Sequence, residues 1–306
     1  MLTDDTALQV EASAPPRTPR LLPGTTIAHY EIIGSLGLGG MGAVFRARDT
    51  RIGRLVAIKL KKPSAEGSTS CRVFCTLLMR EGQAMGQLSH PNVLAVYDVG
   101  LVRGCVYLAI EYVDGTTLRD WARAERTPRQ RLDALLAAGR GLAAAHGAGV
   151  VHRDFKPDNV LVGNDVVKVC DFGLARTRAQ ILDWGVSCGG CGAQDAETEL
   201  ANAVDNDQAG TPRYMAPEQL AGDAATMASD QYAFAVTAWE IMCGTYPFIA
   251  TTVGELRAAI DGERVSDPLH AVSPQTVATL RRAMQRDAER RFESMTELLG
   301  ALASDS

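Results

Sequence analysis

Residues 152–159 read His-Arg-Asp-Phe-Lys-Pro-Asp-Asn, and Asp171-Phe172-Gly173 follows at a short interval. Between the two strings lie short valine-rich apolar runs, 160–162 and 166–169. Charged side chains are costly inside such runs, so these residues belong to loops flanking a pair of strands. Two carboxylates, a lysine and an asparagine are thereby gathered around one strand pair. One carboxylate can orient an attacking hydroxyl, while the other and the amide oxygen of Asn159 can hold Mg2+. Any one of these acids, taken alone, reads as a turn residue or a cap. The full string in this order does not.

Upstream, residues 37–44 place Gly37, Gly39, Gly40 and Gly42 around Leu38 and Met41, ahead of Ala43 and Val44. Glycines at this spacing let backbone N–H groups approach polyphosphate oxygens with no side chain in the way. Taken alone, the loop could equally be a structural turn. A dinucleotide-binding crossover would have its last glycine open a helix, with an acidic residue roughly 20 positions later. Here AVFRARD follows and reads as a strand, which favours a hairpin folded over a nucleotide. Lys59 ends an apolar strand, where its charge is costly unless an anion or a carboxylate meets it. A surface lysine snorkelling to water is the alternative.

The chain around these motifs changes character once. Residues 1–24 carry Pro15, Pro16, Pro19 and Pro23 and read as an extended or disordered tail. Strands are expected at 30–35, 43–48, 55–60, 93–99 and 106–112, with a helix near 71–87. After Gly115, helical spacing dominates at 128–147, 229–243, 252–261, 274–286 and 294–304. The stretch 174–210 has little hydrophobic period, and loops of that length are usually functional or disordered. Composition narrows the setting. A net charge of −5 and a pI near 5.6 give no general reason to bind nucleic acid or an anionic membrane. The apolar stretch 134–151 is broken by Arg140 and His146, and 234–242 is short and holds Glu240, so no membrane span is expected. The N-terminus is acidic where a secretory signal would be basic, and seven cysteines fit reduced thiols. The expected setting is the cytoplasm.

With these motifs in this order, the sequence resembles the eukaryotic-like (Hanks-type) serine/threonine protein kinases of bacteria. The resemblance runs from about residue 27 to 303. Further matching positions are Glu81 in MREGQA, HPNV at 90–93, GTPRYMAPE at 210–218, Asp230 and Arg291. It implies an α+β, bilobal kinase-like fold behind a disordered tail at 1–26. The small β-rich N-lobe with one key helix would span about 27–112, and the larger helical C-lobe about 116–303. Residues 171–218 would be the activation segment. On that footing the chain has no room for an appended sensor domain or membrane anchor.

The roles implied by the resemblance are specific. Lys59 would contact the α- and β-phosphates of ATP and be held by Glu81. Asp154 would accept or orient the proton of the substrate hydroxyl, and Lys156 would neutralise charge on the transferred group. Asn159 and Asp171 would hold Mg2+ or Mn2+. The glycine loop 37–42 with Leu36, Ala43, Val44 and Ala57 would cover the nucleotide, and Leu161 would form the adenine floor. Ile110 stands at the gatekeeper position, and the backbones of Glu111 and Val113 would pair with the adenine edge. Cys170 would face this pocket or be a small buried hydrophobe. Asp230 would accept bonds from the backbone near His152, and Glu218 would pair with Arg291. Gly82 and Gly86 would leave the Glu81 helix mobile.

The implied reaction is transfer of the ATP γ-phosphoryl group to Ser/Thr hydroxyls of protein substrates, including the kinase itself. The alternative is a pseudokinase-type binding module. It predicts loss of Lys59, Asp154, Asn159 or Asp171, and all four are present. A kinase fold acting on small molecules is disfavoured by the 210–218 segment. Homodimers are common among such relatives; neither nucleic acid nor membrane is an expected partner. The segment 171–218 is longer than in most relatives. Asp207 or Asp205 could partly replace an activating phosphate facing Arg153, or Thr177, Ser187 or Thr198 could be phosphorylated, or the acids could merely solvate an insert. Cys188 and Cys191 leave a redox pair, half a zinc site completed by Cys71 and Cys75, and a plain linker all open.

Overall fold

The computed structural model describes residues 21–39, 42–61, 79, 82–83, 85–102, 105–163, 165–172 and 211–304. Six strands form the first sheet: β1 (Thr26–Ile27), β2 (Tyr30–Gly39), β3 (Gly42–Asp49), β4 (Leu55–Lys61), β5 (Val96–Val102) and β6 (Cys105–Glu111). All neighbours are antiparallel, in the order β1-β2-β3-β4-β6-β5. The two-residue period of the pleat divides their side chains. Ala43, Phe45, Ala47, Val56, Ile58, Leu60, Tyr107 and Ala109 form one core cluster. The alternate residues Val44, Ala57, Lys59, Leu108 and Ile110 are left on the opposite face, aligned by cross-strand register. The sheet curls strongly: the hydroxyls of Tyr30 on β2 and Tyr107 on β6 both donate to Asp98 Oδ2 on β5, at 3.3 and 3.0 Å.

Residues 21–26, expected within the tail, instead fold back on β2. Gly24 N donates to Ile32 O at 2.9 Å and Ile32 N to Thr25 O at 2.8 Å. Gly24 has φ +85°, a left-handed conformation that glycine adopts without a Cβ clash. The apolar Ile27 that follows is buried under the sheet, which holds the pairing in place.

The second lobe is helical: α1 (Leu118–Arg123), α2 (Pro128–Gly147), α3 (Pro217–Leu220), α4 (Met227–Cys243), α5 (Val253–Asp261), α6 (Pro274–Ala283) and α7 (Met295–Ala303). Local chemistry sets the starts. Thr127 and Gln130 close a capping box around α2, with Pro128 in its first turn. α4 is buried on nearly every side and lies at the centre of the lobe, with Tyr232, Phe234, Val236 and Trp239 fully buried. It stops at Gly244, whose φ of 74° supplies a left-handed cap. A three-stranded sheet of β7 (Gly115–Thr117), β8 (Val160–Gly163) and β9 (Val167–Val169) lies against this lobe. The pair β8–β9 is the one expected from sequence; β7 and α1 were not. The architecture is α+β and bilobal, as the resemblance implied.

The segment 92–95 ties the lobes. Leu94 N donates to Val169 O and Val169 N to Asn92 O, both at 2.9 Å. A Cβ on Gly141 of α2 would lie 2.4 Å from Asn92 O, so this close approach of helix and loop requires glycine.

Candidate active site

The loop before β8 is pinned from beneath. His152 N and Arg153 N donate to Asp230 Oδ2 and Oδ1 at 2.6 and 2.7 Å, and His146 Nε2 lies 2.9 Å from Asp230 Oδ2. Asp230 is buried in α4, so two backbone amides and an imidazole replace the water its carboxylate gives up. The His152 ring meets Cys170 O through Nε2 at 3.0 Å and packs 4.6 Å from the Phe172 ring centroid. Arg153 and Asp171 have φ of 72° and 64°. Non-glycine residues in that region are strained by about 1–3 kcal/mol each, and such strain persists only where surrounding contacts hold it.

That scaffold brings the polar residues of 152–159 together. Lys156 Nζ lies 2.9 Å and Asn159 Nδ2 3.2 Å from the same oxygen, Asp154 Oδ2. Asn159 Nδ2 also donates to Asp154 O at 2.7 Å. Two acceptors on one side fix the amide orientation, which turns Asn159 Oδ1 away from Asp154. Among the described residues, neither Asp154 Oδ1 nor Asn159 Oδ1 accepts a hydrogen bond. An amide oxygen and the Asp171 carboxylate are hard donors that suit Mg2+, which takes its remaining ligands from water and phosphate. No group of three or more His, Cys, Asp or Glu residues placed to hold a metal occurs among the described residues.

Lys59 stands across the cleft, its Nζ 2.5 Å from Asp171 Oδ1. Its expected partner Glu81 lies outside the described residues, as do Gly40, Met41, Gly173 and the acids, threonines and cysteines singled out in 174–210. Gly37 pairs with Val44, which makes the expected hairpin of β2 and β3. Leu38 and Gly39 lie in its strand backbone. Ala43 departs from expectation: the pleat turns its side chain into the sheet core opposite Leu60, so only its backbone stands at the loop. Val44, Ala57 and Ile110 share the cleft face, and Leu36 is about half exposed above it. Leu161 lies on β8, half-buried, on the face opposite the buried Val160 and Val162. A pocket open to solvent is lined by Lys59, Leu108, Ile110, Cys170, Asp171 and Phe172, among others. Burial there, with Asp171 alongside, pushes the Cys170 thiol far above its usual pKa. The Glu111 amide donates to Ala95 O at 2.9 Å, so a ligand contact at that residue falls to its carbonyl.

A protein kinase domain model matches residues 30–301. The chain belongs to the protein kinase domain family. Its curated relatives include serine/threonine-protein kinase PknB of Mycolicibacterium smegmatis, 34% identical over 88% of this chain and 41% of the relative. Serine/threonine-protein kinase PknD of Mycobacterium tuberculosis is 32% identical over 90% of this chain and 39% of its own length. The chain thus spans about two fifths of the length of the curated relatives it matches. Among solved structures, the Mycobacterium tuberculosis PknI kinase domain superposes with a TM-score of 0.65 at 24% identity, covering 94% of this chain and 100% of that one. This likeness shows the fold.

Sequence reasoning missed two features of the kinase site. The Arg119 guanidinium binds Asp158 through Nε and Nη2 (2.8 and 2.9 Å), Glu240 Oε1 (2.5 Å) and the Tyr214 hydroxyl (2.6 Å). That hydroxyl donates in turn to Glu240 Oε2 at 2.6 Å. Burial would raise the Asp158 pKa, but bonds to Arg119 outweigh it and hold the carboxyl below its usual range. The second is an ion pair of Lys168 Nζ with Glu111 Oε2 at 2.9 Å. Nothing local in the sequence marks these partners, which lie dozens of residues apart. Glu218 and Arg291 do meet as paired, through two bonds of 2.8 and 2.9 Å. No helix among the described residues is long and apolar enough to cross a membrane.

Proposed function

We propose that this chain is a protein serine/threonine kinase that transfers the γ-phosphoryl group of ATP to hydroxyls of protein substrates. The observation that carries this reading is the carboxylate of Asp154. One of its oxygens is held by Lys156 and Asn159, while the other accepts nothing from the described residues. A hydroxyl arriving at Oδ1 finds an acceptor already oriented. Lys156, two residues on, supplies positive charge where charge builds on the transferred group. Lys59 offers an ammonium to the phosphates from the opposite wall. Asn159 Oδ1 and Asp171 would hold Mg2+ or Mn2+, whose contribution when bound is to neutralise phosphate charge. Phosphoryl transfer depends mainly on positioning and electrostatics, and rigid seating of the loop on Asp230 supplies the first. A supply of ATP sets this chemistry in the cytoplasm. Lys156 in the loop and Thr211 in the closing segment favour Ser/Thr acceptors by the family pattern.

Incubating the chain with radiolabelled ATP and Mg2+, with and without a generic protein acceptor, tests the reading. Label is expected in the wild type and absent with Asp154→Asn. Equal label in both would refute the assignment.

A further inference from the structure

Lys168 and Glu111 form an ion pair between the two lobes, and none of the catalytic roles proposed above uses it. Lys168 lies in the middle of β9, in the helical lobe, and is 9% exposed. Glu111 is the last residue of β6, in the strand-rich lobe. Their charged atoms lie 2.9 Å apart. The same Oε2 accepts from Ala95 N at 3.3 Å, and Glu111 N donates to Ala95 O at 2.9 Å. Residues 92–95 are bonded on their other side to Val167 and Val169, which flank Lys168. Glu111 is therefore held by its amide, by its side chain against the same segment, and by a cation from the opposite lobe. Burial and the charges of Arg140 and Lys168 lower the pKa of His90, so the charges next to Lys168 on that side are cationic. Among the described residues, the carboxylate paired with Lys168 is that of Glu111.

We infer that Lys168 is a positioning residue for nucleotide selection: by clamping the Glu111 side chain it fixes the direction of the Glu111 carbonyl. The inference rests on the kinase reading, in which the Glu111 carbonyl and the Val113 amide face the base. A carbonyl there accepts from the exocyclic amino group of adenine. Guanine presents an oxygen at the same place, which a fixed carbonyl repels. Discrimination of this kind depends on the acceptor being unable to turn aside. Lys168 is buried and Glu111 partly exposed, so a pair broken at the lysine leaves the carboxylate without its cation, and the freed Glu111 side chain turns further toward water. The strand end follows it, and the carbonyl loses its fixed aim. The pair acts on binding of the base and not on Asp154, so its effect falls on nucleotide affinity.

Binding of MgATP and MgGTP to the whole chain, measured by calorimetry, tests this on wild type, Lys168→Met and Lys168→Arg, with the melting temperature of each. Wild type is expected to prefer ATP. Lys168→Met is expected to reduce the ATP-to-GTP affinity ratio at least threefold, and Lys168→Arg to keep most of it, because a guanidinium can still hold the carboxylate. In turnover the loss appears in KM for ATP rather than in kcat. If Lys168→Met does not fold, Glu111→Gln is expected to show the same reduced ratio, since it keeps a side-chain acceptor for Ala95 N but not the charge. An unchanged ratio in a folded Lys168→Met or Glu111→Gln chain overturns the inference. So does a wild type that binds both nucleotides equally, or a Lys168→Arg chain that falls as far as Lys168→Met. A wild type that binds neither nucleotide overturns the kinase reading itself.

Discussion

Lys59 Nζ lies 2.5 Å from Asp171 Oδ1, joining the strand-rich lobe to the helical lobe across the cleft. The lysine is largely buried and the carboxylate about one-third exposed, so each offsets a charge that would otherwise be costly. Lys59→Met removes one electrostatic stabiliser of the phosphates, and phosphoryl transfer is expected to fall by about 10²–10³. Because water reaches Asp171, the stability change is expected to stay near 1 kcal/mol. Kinetics and a denaturant titration on one preparation separate the two effects.

Asp154→Asn leaves the loop's packing in place but removes the anionic acceptor. A positioned general base contributes about 10²–10⁴ in rate, and a loss in that range is expected with nucleotide affinity retained. Single-turnover transfer beside ATP binding checks this.

Asp230 tests a structural route to the same activity. It touches neither nucleotide nor hydroxyl in the proposed mechanism, yet two amides of the catalytic loop end on it. In Asp230→Asn an NH2 group faces a donor in a buried place. A cost of about 3 kcal/mol is expected, lowering Tm by about 6–12 °C, together with reduced transfer. Calorimetry and activity measured together should show both losses.

The Glu218–Arg291 pair carries a pH signature. Burial opposes ionisation of Glu218, but its bonds to Arg291 and the arginine's charge outweigh that and lower its pKa from 4.5. A carboxyl whose folded-state pKa is depressed contributes stability that is complete above the unfolded value and lost as pH falls through the folded one. Melting temperature is therefore expected to drop as pH falls below about 4.5, and less steeply in Glu218→Gln. The half-exposed Asp158, held down by Arg119, adds to the slope with the same sign.

Cys170 lines the pocket, but its thiol is buried beside a carboxylate and its pKa is raised. Only the thiolate alkylates readily. Iodoacetamide at pH 8 is expected to label the half-exposed Cys105 in the native chain and to spare Cys170 until the chain is denatured. Peptide mapping by mass spectrometry distinguishes the two.

The 152–159 loop was legible because its polar residues are local. Asp154, Lys156 and Asn159 lie within six residues, and a single turn brings them onto one carboxylate oxygen. Strands β2–β4 and β6 were legible through period-two alternation, which also explains the correction at Ala43: the residue sits in the expected hairpin but on its core face. The tail boundary was misjudged because proline content says nothing of Ile27, which is buried only once the sheet exists. Arg119 was invisible for a different reason. Its partners Asp158, Tyr214 and Glu240 come from a loop, a turn and a helix that meet only in the packed lobe.

The sequence by itself determined which groups the 152–159 string offers: residue types and spacing placed a carboxylate, an ammonium and an amide in one loop, and the order with Asp171 placed that loop before a strand pair. Tertiary structure alone decided how that loop is held and how the lobes are joined. The seating of His152 and Arg153 on Asp230, the contact of Lys59 with Asp171 and the clamp of Lys168 on Glu111 each depend on charges brought together by burial of apolar surface around them. Burial removes the water that would otherwise satisfy those groups, so each must find a partner wherever the fold has placed one.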